Sequence, residues 1–243
     1  MASTFRPKDW LRSLKRRRRF KKRYDVINYF IHARRTHSYL EIGVRTGTCF
    51  RRVRCSDKVG VDPKPGAVDP GWQIHKTTSD DFFAANQRTF DVVFIDGLHL
   101  AEQALRDIFN ALACVAPQGV VVLHDCNPAT RHAQTRDLEL ARAGEQWNGD
   151  VWKAVAYVRE HCDDVFCRVL DIDQGVGVII PTDSFKPRAL TDEDERRAQE
   201  FFETLSWKDL VANRTERLGL IAGRRELERQ LRLSIADGSG SSS

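Results

Sequence analysis

Two short apolar runs set the architecture this chain can adopt. Phe90-Asp91-Val92-Val93-Phe94-Ile95 leads into Asp96-Gly97-Leu98-His99, and Gly119-Val120-Val121-Val122-Leu123 leads into His124-Asp125. Four apolar residues in a row do not separate helix from strand by period. Their β-branched and aromatic content, with Gly97 directly after Asp96, predicts strands buried on both faces. Such strands belong to sheets covered by helices on each side, and ligands of those sheets bind beyond the carboxyl ends of the strands. Each run therefore delivers an aspartate and a histidine to the edge where chemistry takes place.

The remaining segments fit around this pair. A helix is predicted over Asp25 to Ala33, then a strand over Ser38 to Val44 that runs into Arg45-Thr46-Gly47-Thr48. Lys58 to Asp62 and Gln73 to Lys76 are further short strands, and Phe82 to Gln87 is a short helix. Ala101 to Val115 carries Ala104, Leu105, Ile108 and Leu112 on one face, and Pro117-Gln118-Gly119 turns the chain into the second apolar run. Asn127 to Gly144 has no period and reads as a long loop. Val151 to His161 is a second amphipathic helix, and Phe166 to Asp171 with Val176 to Ile180 form an antiparallel hairpin through Asp173-Gln174-Gly175. Thr191 begins a charged helix over roughly residues 192–212, and another follows over about 222–235. Five strands alternating with helices and followed by a hairpin give an α/β fold: a doubly wound, mostly parallel seven-stranded sheet with an antiparallel C-terminal hairpin.

Charge divides the chain. Residues 1–24 hold eleven Lys/Arg and one acid, Asp9, while the other 219 residues hold 28 basic and 33 acidic side chains. The sequence thus divides into a basic arm (1–24), a central domain (25–182) and a helical extension ending in a Gly/Ser tail (183–243). Residues 15–23 suit an anionic surface or nucleic acid, or remain a solvated charged extension. The C-terminal helices either pack on the body or pair two copies. Six cysteines without CxxC spacing fit a reduced, cytoplasmic chain rather than a disulfide framework. No apolar run approaches a membrane span.

With Leu40-Glu41-Ile42-Gly43-Val44-Arg45-Thr46-Gly47, Val59-Gly60-Val61-Asp62, Phe90 to His99 and Val122 to Pro128 in this order, the sequence resembles the class I S-adenosylmethionine-dependent methyltransferases. Trp147-Asn148-Gly149-Asp150-Val151-Trp152-Lys153 adds to the resemblance, which spans about Tyr39 to Pro181 and implies the Rossmann-like form of the sheet. Within that superfamily it looks like the metal-dependent small-molecule O-methyltransferases, including those acting on sugar hydroxyls. The resemblance implies that Glu41, Gly43 and Gly47 line the cofactor, that Asp62 holds its ribose, and that Ser79 and Asp80 lie near its adenine. It further implies Asp96 and Asp125 as ligands of a divalent cation, Mg²⁺ with Mn²⁺ or Fe²⁺ as alternatives, and His99 as general base. Asp96 would also border the cofactor. His124 departs from the family pattern: as a ligand it favours Mn²⁺, Fe²⁺ or Zn²⁺, while Asn127 would complete an all-oxygen site.

Blander readings of the same residues stay open. Asp62 before Pro63 and Asp125 before Asn127-Pro128 also suit turns, His99 can cap the helix that follows it, and Trp147 and Trp152 suit packing. A nicotinamide-dependent oxidoreductase shares the strand–turn–acid arrangement, although G-x-G-x-x-G is absent. A binding protein acting through its basic arm is the third alternative.

Overall fold

The computed structural model describes residues 19–137, 139 and 146–238. Most of the basic stretch (1–18), part of the long loop (138 and 140–145) and the Ser-rich end (239–243) lie outside the described residues.

The strands are β1 (Ser38–Ile42), β2 (Asp57–Val61), β3 (Gln73–His75), β4 (Phe90–Ile95), β5 (Val115–Leu123), β6 (Val165–Leu170), β7 (Val176–Pro181) and β8 (Leu220–Ile221). They form one sheet in the order β3-β2-β1-β4-β5-β7-β6-β8. Neighbours from β3 to β5 pair in parallel, and β7 runs antiparallel to both β5 and β6. Strand order reverses between β1 and β4, which makes their carboxyl ends the switch point where α/β sheets open a crevice.

The helices are α1 (Arg23–Arg34), α2 (Ser79–Ala85), α3 (Ala101–Cys114), α4 (Val151–His161), α5 (Asp192–Thr204), α6 (Trp207–Leu218) and α7 (Arg224–Gly238). Alternation along the strands sends side chains to both layers. Phe90, Val93 and Ile95 of β4 join Leu105, Ile108 and Trp152 in one core, while Val92 and Phe94 join Ile27, Phe30 and Phe50 in the other. Double burial is the reason these strands read as continuous apolar runs rather than as alternating ones.

Three differences from the sequence reading have local causes. The sheet has eight strands rather than seven, because Gly219 adopts φ +55° at the end of α6 and turns Leu220-Ile221 alongside β6. The helix expected over 192–212 is two: α5 ends at Thr204, and the Ser206 hydroxyl accepts the Asp209 N–H to start α6. β1 stops at Ile42 because Gly43 turns to φ +88°. α5 and α6 pack on α4, and α7 packs on β6, so the C-terminal extension folds back on the central domain. All six cysteines are unpaired, and among the described residues no helix is long and apolar enough to cross a membrane.

Candidate active site

Register brings three strand ends level. Ile42 of β1 sits beside Ile95 of β4, and Ile95 beside Leu123 of β5. The residues one step beyond are tied across the same edge: Asp96 N–H donates to the Ile42 carbonyl at 2.8 Å, and His124 N–H to the Ile95 carbonyl at 3.0 Å. Gly43 packs so tightly over Asp96 that a Cβ there would run into the Asp96 carbonyl. A bare backbone is what the crossing requires.

Four side chains converge at this edge. Nε2 of His99 lies 3.5 Å from Asp96 Oδ1 and 3.3 Å from Asp125 Oδ2. From the other side, Nδ1 of His124 lies 2.9 Å from Asp125 Oδ2 and 3.3 Å from Asp96 Oδ1. The opposite nitrogen of each ring meets a backbone carbonyl: His99 Nδ1 is 3.1 Å from the Trp147 oxygen, and His124 Nε2 is 2.7 Å from the Asp173 oxygen. A carbonyl only accepts, so those two nitrogens carry hydrogens and the site-facing nitrogens are left to bind or release a proton. Asp125 is held in the left-handed region (φ +60°), a conformation an aspartate tolerates but seldom adopts. The Nδ2 of buried Asn148 donates to its Oδ1 at 2.9 Å.

Electrostatics match the crowding. Burial works to raise the Asp96 carboxyl, but the neighbouring His124, His99 and Arg23 hold it well below the usual carboxylate range. Burial likewise opposes charge on both imidazoles, yet the two aspartates outweigh it and raise both. Among the described residues, Asp96, His124 and Asp125 present donor atoms within 4.8 Å of one another, the spacing of a site for a metal ion. Carboxylate oxygens with one imidazole nitrogen, the ring oriented through its other nitrogen, fit a divalent first-row cation chemically.

A sequence model of the family described as Methyltransferase domain matches residues 40–126, the span from β1 to just past Asp125. That stretch, from β1 through the strand ends that carry Asp96 and Asp125, is similar to a methyltransferase domain. Among solved structures, an S-adenosylhomocysteine-bound methyltransferase of Podospora anserina is similar at 14% identity, covering 75% of this chain and 99% of its own, with a TM-score of 0.50. An O-methyltransferase of Bacillus cereus in complex with S-adenosylhomocysteine gives 12% identity, 72% and 90% coverage and a TM-score of 0.47. An O-methyltransferase of Streptomyces achromogenes involved in tomaymycin synthesis gives 14%, 65% and 79%, and 0.44. At these identities the likeness is one of fold. The search of curated proteins returned no match.

The residues expected at the cofactor are distributed unevenly. Gly43 borders Asp96, and Gly47 (φ +69°) lies under the Trp72 ring. Asp62 caps the neighbouring turns, its two oxygens each accepting a backbone N–H, from Arg45 and from Lys64, at 2.7 Å. Free lone pairs remain on both of those oxygens. Ser79 and Asp80 open α2, where Gln103 Nε2 donates to Ser79 Oγ at 3.2 Å and Asp80 Oδ1 at 3.0 Å. Glu41 is enclosed behind the edge: the Tyr39 hydroxyl donates to it at 2.5 Å, and burial pushes its carboxyl up to about 8.

Three further residues border the site. The Trp147 ring stacks on His99 with centroids 4.6 Å apart, although packing was the expectation for it; Trp152 does serve as packing and is fully buried. Asp173, in the β6–β7 turn, accepts the Lys22 ammonium at 2.8 Å and the Arg23 N–H at 3.0 Å. Arg23, the last arginine of the basic arm, reaches into the site as the first residue of α1. The one available signal was spacing: Trp147-Asn148-Gly149-Asp150 belongs to the family-like motifs, whereas nothing local marks Asp173 or Arg23. Asn127 turns away from the cluster, its Nδ2 donating to Asp171 Oδ1 at 3.0 Å.

Proposed function

We propose that this chain is an S-adenosylmethionine-dependent methyltransferase that transfers the methyl group to a hydroxyl of a small acceptor, a sugar or similarly polar metabolite, with a divalent cation at Asp96, His124 and Asp125 and with His99 as general base. The convergence of two imidazoles on one pair of aspartates, each ring tied to a carbonyl, carries this reading. Methyl transfer from a sulfonium is an in-line displacement, so the enzyme supplies alignment and a deprotonated nucleophile. When bound, a cation would lower the pKa of a coordinated hydroxyl. In its neutral form, reached above the pKa that Asp96 and Asp125 raise, His99 keeps Nδ1–H on Trp147 and presents Nε2 to take the acceptor proton. The nitrogen donor of His124 favours Mn²⁺ or Fe²⁺ over Mg²⁺.

Acceptor class is supported by the neighbouring cavity of about 410 Å³, lined by Lys22, Asn127, Gln146, Asp171, Asp173 and Gln174. Amides and charged groups outnumber the apolar Ala129 and Ile172 along its wall, and the absence of an aromatic side chain there among the described residues suits a polyhydroxylated ligand better than an aromatic one. The names of the two O-methyltransferases similar in fold agree with oxygen as the acceptor atom. Gly43, Gly47, Asp62, Ser79 and Asp80 are proposed to hold the cofactor.

Calorimetry with S-adenosylhomocysteine tests cofactor use, and heat with 1:1 saturation is expected. Thermal shift of chelator-stripped protein on adding Mn²⁺, Fe²⁺ or Mg²⁺ tests the cation, with Asp96→Asn abolishing the shift. Methyl transfer from labelled cofactor to a panel of sugars, nucleosides and catechols then tests the acceptor. Undiminished turnover of Asp96→Asn in excess chelator would remove the metal from the reading.

A further inference from the structure

The cation-binding donors already have a cation against them. Arg23 Nη1 lies 2.8 Å from Nδ1 of His124 and also contacts its Nε2, while Arg23 Nε lies 3.8 Å from Asp96 Oδ2. Nδ1 of His124 is also the nitrogen that faces Asp96 and Asp125. A guanidinium stays protonated at any pH a protein survives, so it cannot vacate this position by losing charge. It must move or be displaced. Asp173 offers the alternative: it already accepts the Arg23 backbone N–H, and its Oδ2 lies 3.6 Å from Arg23 Nη1.

We propose that Arg23 is the built-in counter-cation of this site, occupying the donors of Asp96 and His124 until a divalent ion displaces its guanidinium toward Asp173. The inference rests on the metal reading of the site given above. Its physical basis is charge compensation. Buried carboxylates need compensating charge when no metal is bound, and Arg23 adds a permanent one on the Oδ2 side of Asp96, beside the two imidazoles that face its Oδ1. The same neighbour subtracts from the affinity of every divalent ion that needs those donors. Ions that bind imidazole and carboxylate weakly, such as Mg²⁺, fall out of range first. The first turn of α1 thereby acts as a specificity element for the metal.

The test is Mn²⁺ binding to the full, chelator-stripped chain, read from the electron paramagnetic resonance signal of free Mn²⁺ at fixed pH and ionic strength. Arg23→Gln should bind about tenfold more tightly than the natural sequence. Arg23→Lys, which keeps the charge but not the planar fork, should fall between them, and it carries the test if the glutamine variant does not fold. Lys22→Gln removes a rim charge that contacts Asp173 but none of the proposed metal ligands, and it should change affinity less than about twofold. A merely structural role for Arg23 predicts weaker binding in its variants. Equal or weaker Mn²⁺ binding by both Arg23 variants, or tightening of the same size in Lys22→Gln, overturns the proposal. If neither the natural chain nor any variant binds Mn²⁺ while all bind S-adenosylhomocysteine, the metal reading falls, and the displacement with it.

Discussion

The Trp147 carbonyl oxygen and the Trp147 ring hold His99 together: Nδ1 lies 3.1 Å from the oxygen, and the two rings stack at a centroid distance of 4.6 Å. One residue thus sets both the tautomer and the tilt of the imidazole. His99→Ala should lower kcat at least a hundredfold and leave the affinity for S-adenosylhomocysteine within about twofold, as removal of a general base does. Trp147→Ala keeps the carbonyl but loses the stack, so about a tenfold loss in kcat is expected, with Trp147→Phe largely restoring it. Rates from steady-state kinetics decide this. Equal loss in His99→Ala and in cofactor affinity would make His99 a structural residue.

Asp150 links this arrangement to the helix behind it. Its Oδ1 accepts the Ala101 N–H at 2.8 Å, capping α3 from a distant segment, and its Oδ2 accepts Arg136 at 2.7 Å. Asp150→Ala leaves the first turn of α3 uncapped and a buried donor unpaired. A loss of about 2 kcal/mol in denaturant unfolding is expected, together with reduced kcat as the start of α3, two residues beyond His99, loosens. An unchanged unfolding midpoint would show that α3 does not depend on this cap.

Gly43 tests how closely β1 and β4 must approach. With φ +88°, and with the Asp96 carbonyl in the space a Cβ would take, Gly43→Ala combines backbone strain with a collision. About 3 kcal/mol or more of stability should be lost. Binding of S-adenosylhomocysteine should weaken in parallel, because Asp96 has to shift. Thermal unfolding and calorimetry of one preparation check both.

The parts legible in the sequence are those written in local pattern. β4 and β5 are apolar because both faces are buried, and the residues just past them must reach the switch-point edge, so Asp96, His99, His124 and Asp125 came together as expected. Arg23 could not be read this way. It stands 101 residues from His124 and looks, from composition, like one more charge in a solvated arm. Asp173 falls in a hairpin turn where aspartate is ordinary, and its importance comes from tertiary contacts with Lys22, Arg23 and His124. β8 is two residues long and carries no period at all.

Asp107 supplies a pH dependence of stability from α3, behind Gln103, which also reaches Ser79 and Asp80. It is buried on α3, with Oδ1 accepting Gln103 Nε2 at 3.1 Å and Oδ2 without a partner. Burial pushes its carboxyl up to about 6, from 3.8. Between those values the folded chain holds a proton that the unfolded chain has released. The contribution is therefore fully present below about pH 4 and is lost as pH rises through about 6, the loss amounting to some 2–3 kcal/mol by neutral pH. Asp107→Asn cannot ionise and should remove this component. The variant should match the natural chain near pH 4 and exceed its stability by about 2 kcal/mol at pH 8. Urea unfolding of both proteins at a series of pH values measures the difference directly, which cancels the other titrating groups. A difference that stays flat from pH 4 to 8 would mean that Asp107 is ionised throughout and that its charge is satisfied within α3.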